Sequence, residues 1–129
     1  MDLLHETQTL YVKRRLDGNY GLFTNVIRDN SEIIINIEDG DKQNKRDLRT
    51  IETDNGHFFH CLGGFTNHSC QPTTRVDKEN GTLYAIKKLS PHSEITFNYL
   101  ESEKKISKSF QCNCGNKDCK GFISKLEKL

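Results

Sequence analysis

Three cysteines crowd into the segment CNCGNKDC: Cys112, Cys114 and Cys119, in the spacing C-x-C-x4-C. Thiolate sulfur is a good zinc ligand, and a closed structural zinc site wants four ligands. Gly115 lets the chain reverse between them. Three ligands are local, so the fourth comes from elsewhere, from Cys61, Cys70, His68 or His92. A second chemically capable stretch, FTNHSCQP, occupies residues 65–72. There Asn67, His68, Ser69 and Cys70 run consecutively, and Pro72 stops regular structure. A fourth ligand from this loop would staple the C-terminal segment over the middle of the domain, which a short chain benefits from. His57, His60 and His92 otherwise read as structural or surface residues. Cys61 reads as a buried free thiol, and the lysines of the last thirty or so residues as a solvated face.

The elements that must position these groups are read from size and pattern. A chain of 129 residues favours one domain with one modest core. Charged residues reach 29%, but the apolar residues are clustered, so disorder is not indicated. A net charge of +1 gives no mandate for nucleic acid or an anionic membrane. Apolar runs such as Ile33-Ile34-Ile35 are too short to span a bilayer. The start, MDLLHETQTL, lacks the basic and long apolar parts of a secretory signal. An odd five cysteines argue against a disulfide framework and for a reducing compartment: cytoplasm, nucleus, or the inside of a host cell.

Residues 9–15 and SEIIINIED read as strands, with the glycines of LDGNYGLF turning the chain between them. DGDKQNKRD reads as a polar loop. RTIET and HFFHCL are strand-like around the turn DNG. TTRVD and TLYAIKKL flank Asn80-Gly81, a strong hairpin signal. EITFNYL is a further short strand that includes Tyr99, ESEKKISKS a charged linker, and FISKLEKL a helical turn or two. The sum is mainly β, built from small sheets.

Three segments then fall in order: GNYGLF, NHSC with Gln71 and Pro72, and EITFNY, followed by FQCNCGNKDCKGFI. Together they resemble the SET domain of protein lysine methyltransferases with its cysteine-rich post-SET segment. They are most similar to compact members with almost no insert, over about residues 10–123. The resemblance implies a β-clip-like SET fold of several small sheets. Its C-terminal segment would thread past the NHSC loop like a knot, against the usual rule. Residues 1–108 would be the SET domain and 109–129 the zinc-bound post-SET segment.

The same resemblance implies S-adenosylmethionine as cofactor. Asn67 and His68 match the pair around its adenine. Asn19, Tyr20 and Gly21 match the turn at its methionine end. Phe110 and Phe122 match residues near the adenine or the lysine channel. Cys70 matches the fourth zinc ligand beside Cys112, Cys114 and Cys119. Tyr99 matches the catalytic tyrosine, and Phe97 the position that governs how many methyls fit, a Phe permitting di- or trimethylation. Phe65, with Phe58 and Phe59, reads as core or channel wall.

The implied reaction is methyl transfer to a lysine side chain of a protein or peptide, histones being one such class. No nucleic acid or membrane partner is implied, and self-association into a homodimer could offset the missing insert. The nucleophile must be neutral lysine, whose pKa of about 10.4 puts a cost of roughly 4 kcal/mol on deprotonation near neutral pH. An apolar channel lowers that cost. The remaining catalysis is positioning.

The chain departs from the pattern in four ways. Thr73 stands where Asn is common, and Asn98 where an acidic residue often precedes the tyrosine. SEIIINIED offers no second channel tyrosine, and the insert is nearly absent. A catalytically weak or inactive SET-like binding module, stabilised by zinc, is the competing reading.

Overall fold

Among the described residues, short alternating runs and glycine turns build four small sheets. The structure, a computed structural model, describes residues 3–104, 106, 110–112 and 119–123. The strands are β1 (Leu3–Glu6), β2 (Leu10–Arg14), β3 (Tyr20–Thr24), β4 (Ile33–Asn36), β5 (Asp41–Gln43), β6 (Ile51–Thr53) and β7 (Gly56–Phe59). They continue with β8 (Asn67–His68), β9 (Thr74–Asp77), β10 (Thr82–Ala85), β11 (Glu94–Phe97), β12 (Phe110–Gln111) and β13 (Phe122–Ile123). One helical turn, α1 (Tyr99–Ser102), follows β11, and 3-10 turns lie at Ile37–Asp39 and Gly63–Phe65. The sheet orders are β1-β2-β3-β11-β8, β4-β10-β9, β5-β7-β6 and β12-β13. No helix among the described residues is long and apolar enough to cross a membrane.

The core sits where the sheets meet. Leu22 lies opposite Val12 on one side and Ile95 on the other, and all three are fully buried. Ile35, Ile37, Leu83, Leu89 and Phe97 belong to the same cluster. The β2–β3 hairpin needs Gly18 at φ 89°, a left-handed conformation that side-chain-bearing residues rarely adopt. The Asn80-Gly81 signal holds: β9 and β10 pair in register across it, with Gly81 at φ 70°.

Several expectations are corrected. Leu3–Glu6 forms an edge strand on β2, largely exposed, so no apolar alternation announces it. Asp41–Gln43, expected as loop, is a fully exposed edge strand on β7. It too buries nothing, so hydrophobic pattern is silent there. SEIIINIED is a strand only to Asn36, then tightens into the 3-10 turn. EITFNYL ends as a strand at Phe97. Asn98 is extended, its side chain accepts from Leu100 N–H, and Tyr99 opens α1 instead of closing the strand. Phe122–Ile123 is a strand rather than a helical turn. Cys61 is exposed, on the turn after β7, rather than buried.

His92 holds a left-handed φ of 72° and bonds Tyr11 Oη through Nδ1 at 3.1 Å, a structural role. His60 Nδ1 accepts from Leu62 and Gly63 N–H, both at 3.1 Å, and is structural as well. The expected boundary at residues 108/109 lies outside the described residues. So does most of the tail through which a knot-like threading would run.

Leu22 gives the test of this core. Leu22→Ala is expected to cost about 2–5 kcal/mol, read as a lower urea midpoint with an unchanged m-value.

Candidate active site

The two chemically loaded stretches are brought side by side by a parallel pairing. Asn67 lies opposite Thr96, and His68 opposite Phe97. His68 Nδ1 accepts the Tyr99 backbone N–H at 3.1 Å, so the ring's hydrogen resides on Nε2. That nitrogen sits 3.5 Å from Cys70 Sγ. Burial pushes the His68 pKa down and keeps the ring neutral. One imidazole thus braces the start of α1 with one nitrogen and a thiol with the other.

Tyr99 Oη donates to the Thr66 carbonyl at 2.6 Å. Burial, helped by repulsion from Glu103, pushes its pKa well above the ordinary range, so it stays a phenol at any physiological pH. Its ring lies 4.7 Å from that of Phe97, 5.3 Å from His68 and 5.9 Å from Phe110.

Two cavities meet at this ring. One, about 420 Å³ with its mouth, is a mostly apolar channel walled by Ile51, Thr66, Phe97, Glu103 and Ile106. The other, about 1050 Å³ with its mouth, is a wider polar cleft walled by Arg15, Asp17, Asn19, Asn67, His68 and Gln111. Leu48, Arg49, Gly64, Tyr99 and Phe110 belong to both walls.

Other expected site residues fall into three groups. Asn67 reaches inward: its Nδ2 donates to the Tyr20 carbonyl at 2.8 Å and to Glu94 Oε2 at 3.1 Å. Gly21 lies beneath, where an added Cβ would come 2.9 Å from that same carboxylate oxygen. Phe65 packs on Tyr20 and His5 under the Arg49 guanidinium, and is not among the walls of either cavity. Phe122 is 62% exposed and likewise lies outside both walls.

Cys70, Cys112 and Cys119 join one small cluster with Ile106 and Ile123. The Cys70 and Cys112 sulfurs and His68 Nε2 all lie within 4.8 Å of one another. Lys120 N–H points at Cys70 Sγ at 3.2 Å and Gly121 N–H at Cys119 Sγ at 3.4 Å. Cys114 lies outside the described residues. Of the four candidates for the distant ligand, Cys61 is exposed and His92 is engaged with Tyr11. His68 and Cys70 are the two that lie beside Cys112.

Arg15, Leu48, Arg49, Thr66, Glu94 and Glu103 were not legible as site residues. Arg15, Arg49 and Glu94 come from segments that read as strands, Glu103 from a charged linker and Thr66 from the stretch that holds Asn67 and His68, and only their placement distinguishes them. Burial raises the Glu94 pKa against the pull of Asn67 and of Arg15, whose Nε is 3.6 Å away. Burial alone would raise Glu52 too. Bonds from Lys104 N–H, Arg46 and Lys78 overcome that and push it down to about 2. Glu103, beside it, is pushed up to about 7, chiefly by burial.

The SET domain family matches residues 5–100. The chain belongs to the SET-domain family. The H3 lysine-4 specific histone-lysine N-methyltransferase of Saccharomyces cerevisiae is 34% identical over 70 residues, which are 49% of this chain and 6% of that protein. The H3 lysine-9 specific histone-lysine N-methyltransferase of Fusarium mangiferae is 32% identical over 92 residues, 57% of this chain and 26% of that protein. The chain therefore corresponds to a small part of each relative.

Among solved structures, KRYPTONITE in complex with mCHG DNA and SAH superposes with a TM-score of 0.66 at 18% identity, covering 92% of this chain and 30% of that one. A second KRYPTONITE structure, with mCHH DNA, an H3(1-15) peptide and SAH, gives a TM-score of 0.60 at 19% identity, again covering 92% and 30%.

Two departures from the SET-domain pattern have local structural work. Thr73 Oγ1 donates to the Glu94 carbonyl at 2.9 Å and accepts Thr96 N–H at 3.0 Å, so it ties the NHSC loop to β11. Asn98 caps α1.

The Glu52 network predicts acid sensitivity with a definite sign. A carboxylate held at about 2 against an ordinary 4.5 stabilises the fold above pH 4.5, and that contribution is lost as pH falls toward 2. Glu103 acts oppositely, its contribution as a neutral acid being lost as pH rises from 4.5 to about 7. Glu52→Gln is expected to cost roughly 3 kcal/mol at pH 7. It should also flatten the acid limb of melting temperature against pH.

Proposed function

We propose that this chain is an S-adenosylmethionine-dependent protein lysine N-methyltransferase. The observation that carries the reading is Tyr99, a permanently protonated phenol fixed on Thr66 O where an apolar channel opens into a polar cleft. The histone-lysine N-methyltransferase names of the relatives and the SAH in both KRYPTONITE structures support it.

Inside its mouth the cleft encloses about 360 Å³, within the range of ordinary cofactor pockets, about 300–1,000 Å³. It fits the group chemically. His68 and Phe110 stand edge to face with ring centroids 5.8 Å apart, an aromatic corner suited to adenine. Asn19, Asn67 and Arg15 supply polar and cationic wall for the amino-acid end. Bound there, the cofactor would supply a methyl group on a cationic sulfonium.

The chain's own residues do the rest. Phe97, Phe110, Ile51 and Ile106 make the channel poor at solvating an ammonium and so favour neutral lysine. Tyr99 is no general base, because it holds its proton. It orients the amine and excludes water, and the rate gain is chiefly positional. Phe97 brings no hydroxyl to the channel, which supports di- or trimethylation. A histone-type tail is the proposed substrate, following the H3 peptide in the KRYPTONITE structure.

Zinc is proposed at Cys70, Cys112 and Cys119, with Cys114 as the further thiolate. Backbone N–H groups are aimed at two of the sulfurs, the kind of outer contact that supports coordinated sulfur, and cysteine sulfurs are a donor set zinc prefers. His68 Nε2–H then supports Cys70 from behind. Such a site implies a reducing compartment.

The test combines both parts. Labelled S-adenosylmethionine and mixed histones are expected to give label transfer that falls by about 10²-fold or more in Tyr99→Phe. Cofactor binding with no transfer to any substrate would instead favour the binding-module reading. Metal analysis should find about one zinc per chain, and Cys70→Ser should lose the metal together with several degrees of melting temperature.

A further inference from the structure

We infer that Glu103 is the acceptor of the proton that the target lysine sheds inside the channel, a role that rests on the methyltransferase reading above. Neutral lysine is required, and Tyr99 cannot take its proton. Two carboxyls line the channel, Asp47 and Glu103. Asp47 is exposed, with Oδ1 accepting Leu48 N–H at 2.7 Å. Glu103 is 6% exposed and shares the wall with Tyr99, Phe97 and Phe110. Its Oε2 accepts Glu52 N–H at 2.8 Å, while Oε1 carries no hydrogen bond among the described residues. One oxygen is anchored and one is left for the cavity.

The surroundings suit an acceptor. Glu52, on β6, faces Glu103 as a carboxylate held ionised by Arg46 and Lys78. His57, on β7, is kept neutral by burial and by Arg46. Tyr99 approaches from α1, Lys104 follows in the chain, and Asp47 and Arg49 complete the charged wall. Glu52, His57 and Glu103 place ligand atoms within 4.8 Å of one another. Both Glu52 oxygens are already taken by cations, however, so the cluster does not invite a metal. Burial moves the Glu103 carboxyl up to about 7, toward the amine it must deprotonate and near the operating pH of a useful base.

The step balances simply. The Nζ–H bond of the ammonium breaks, its electron pair stays on nitrogen, and the proton bonds to Glu103 Oε1. Protonated Glu103 later returns that proton to solvent through the channel mouth. Each further methylation begins from a methylammonium and repeats the transfer.

The experiment follows the kcat–pH profile from pH 6 to 9.5 for wild type and Glu103→Gln, with labelled S-adenosylmethionine and a histone-tail peptide. Wild type is expected to rise through a limb near pH 7. The variant should lose about 10²-fold at pH 7.5. Its limb should vanish, its rate climbing instead toward pH 9.5 as the lysine loses its proton in solution. KM for S-adenosylmethionine should not move, and the melting temperature at pH 8 should equal or exceed that of wild type. Glu103→Asp, which keeps the carboxyl, should restore a limb and part of the rate.

An active wild type whose kcat and profile are shared by Glu103→Gln overturns the role and leaves the methyltransferase reading standing. A wild type that labels no peptide overturns both. Should Glu103→Gln fail to fold, Glu103→Asp decides: a displaced limb supports the role, and an unaltered rate and profile overturns it.

Discussion

The parallel register of β8 against β11, Asn67 opposite Thr96 and His68 opposite Phe97, is the contact on which the site's geometry depends. It is only two residues long, too short to persist on ladder bonds alone. Bonds on either side hold it. Ser69 N–H donates to Phe97 O at 3.1 Å, Thr74 Oγ1 to Thr96 O at 2.6 Å, and Thr73 and Thr96 exchange bonds through their hydroxyls. Because that register is fixed, His68 meets the first N–H of α1, and the phenol of Tyr99 meets Thr66 O one residue ahead of β8. A slip of one residue would exchange the faces of Asn67 and His68, separating the cleft from the channel.

The interior is unusually charged for so small a core, and the cost is met by saturation. Arg28, 6% exposed, gives Nε to Thr24, Nη1 to Glu32 and Nη2 to Thr9 O. Glu52 takes two cations and a backbone N–H. Networks satisfied this fully are tolerated in a low-dielectric interior, whereas a half-satisfied one is not. Among the described residues the exceptions include Arg46 Nε and His57 Nδ1, buried without a partner, and Glu103, a buried carboxyl with one anchored oxygen. A group held so far from its preferred state costs stability, and such groups concentrate where chemistry is done.

What the sequence discloses depends on whether a residue's role is local. The Asn80-Gly81 hairpin was legible, because turn chemistry and alternation are written in neighbouring letters; the nearness of Cys70 to Cys112 and Cys119 came only through the family resemblance, since ligand type alone left Cys61, Cys70, His68 and His92 open. Tyr99's place was legible only as the end of a strand. The N-cap bond of Asn98 competes with strand extension and wins, because His68 also claims the next N–H. Leu3–Glu6 and Asp41–Gln43 were hidden because exposed edge strands owe their existence to a partner's free edge rather than to their own apolar pattern. Glu103 was hidden in a run of charges, and no spacing rule separates a buried glutamate from its solvated neighbours.

The channel's outer wall is supplied by residues 47–51. Thr50 and Asp47 close a local turn, Asp47 N–H to Thr50 Oγ1 at 2.8 Å and Thr50 Oγ1 to Asp47 O at 3.0 Å. The turn presents Leu48 and Arg49 to both cavities. Arg49 is then pinned, its guanidinium 4.3 Å over the Phe65 ring and its Nη1 donating to Gly64 O at 3.3 Å. Phe65 thus contributes from outside the walls, as the platform for the side chain that forms one. A tight turn braced on a single aromatic ring supplies the channel's outer wall here. It also leaves Leu48, a wall residue of both cavities, 58% exposed.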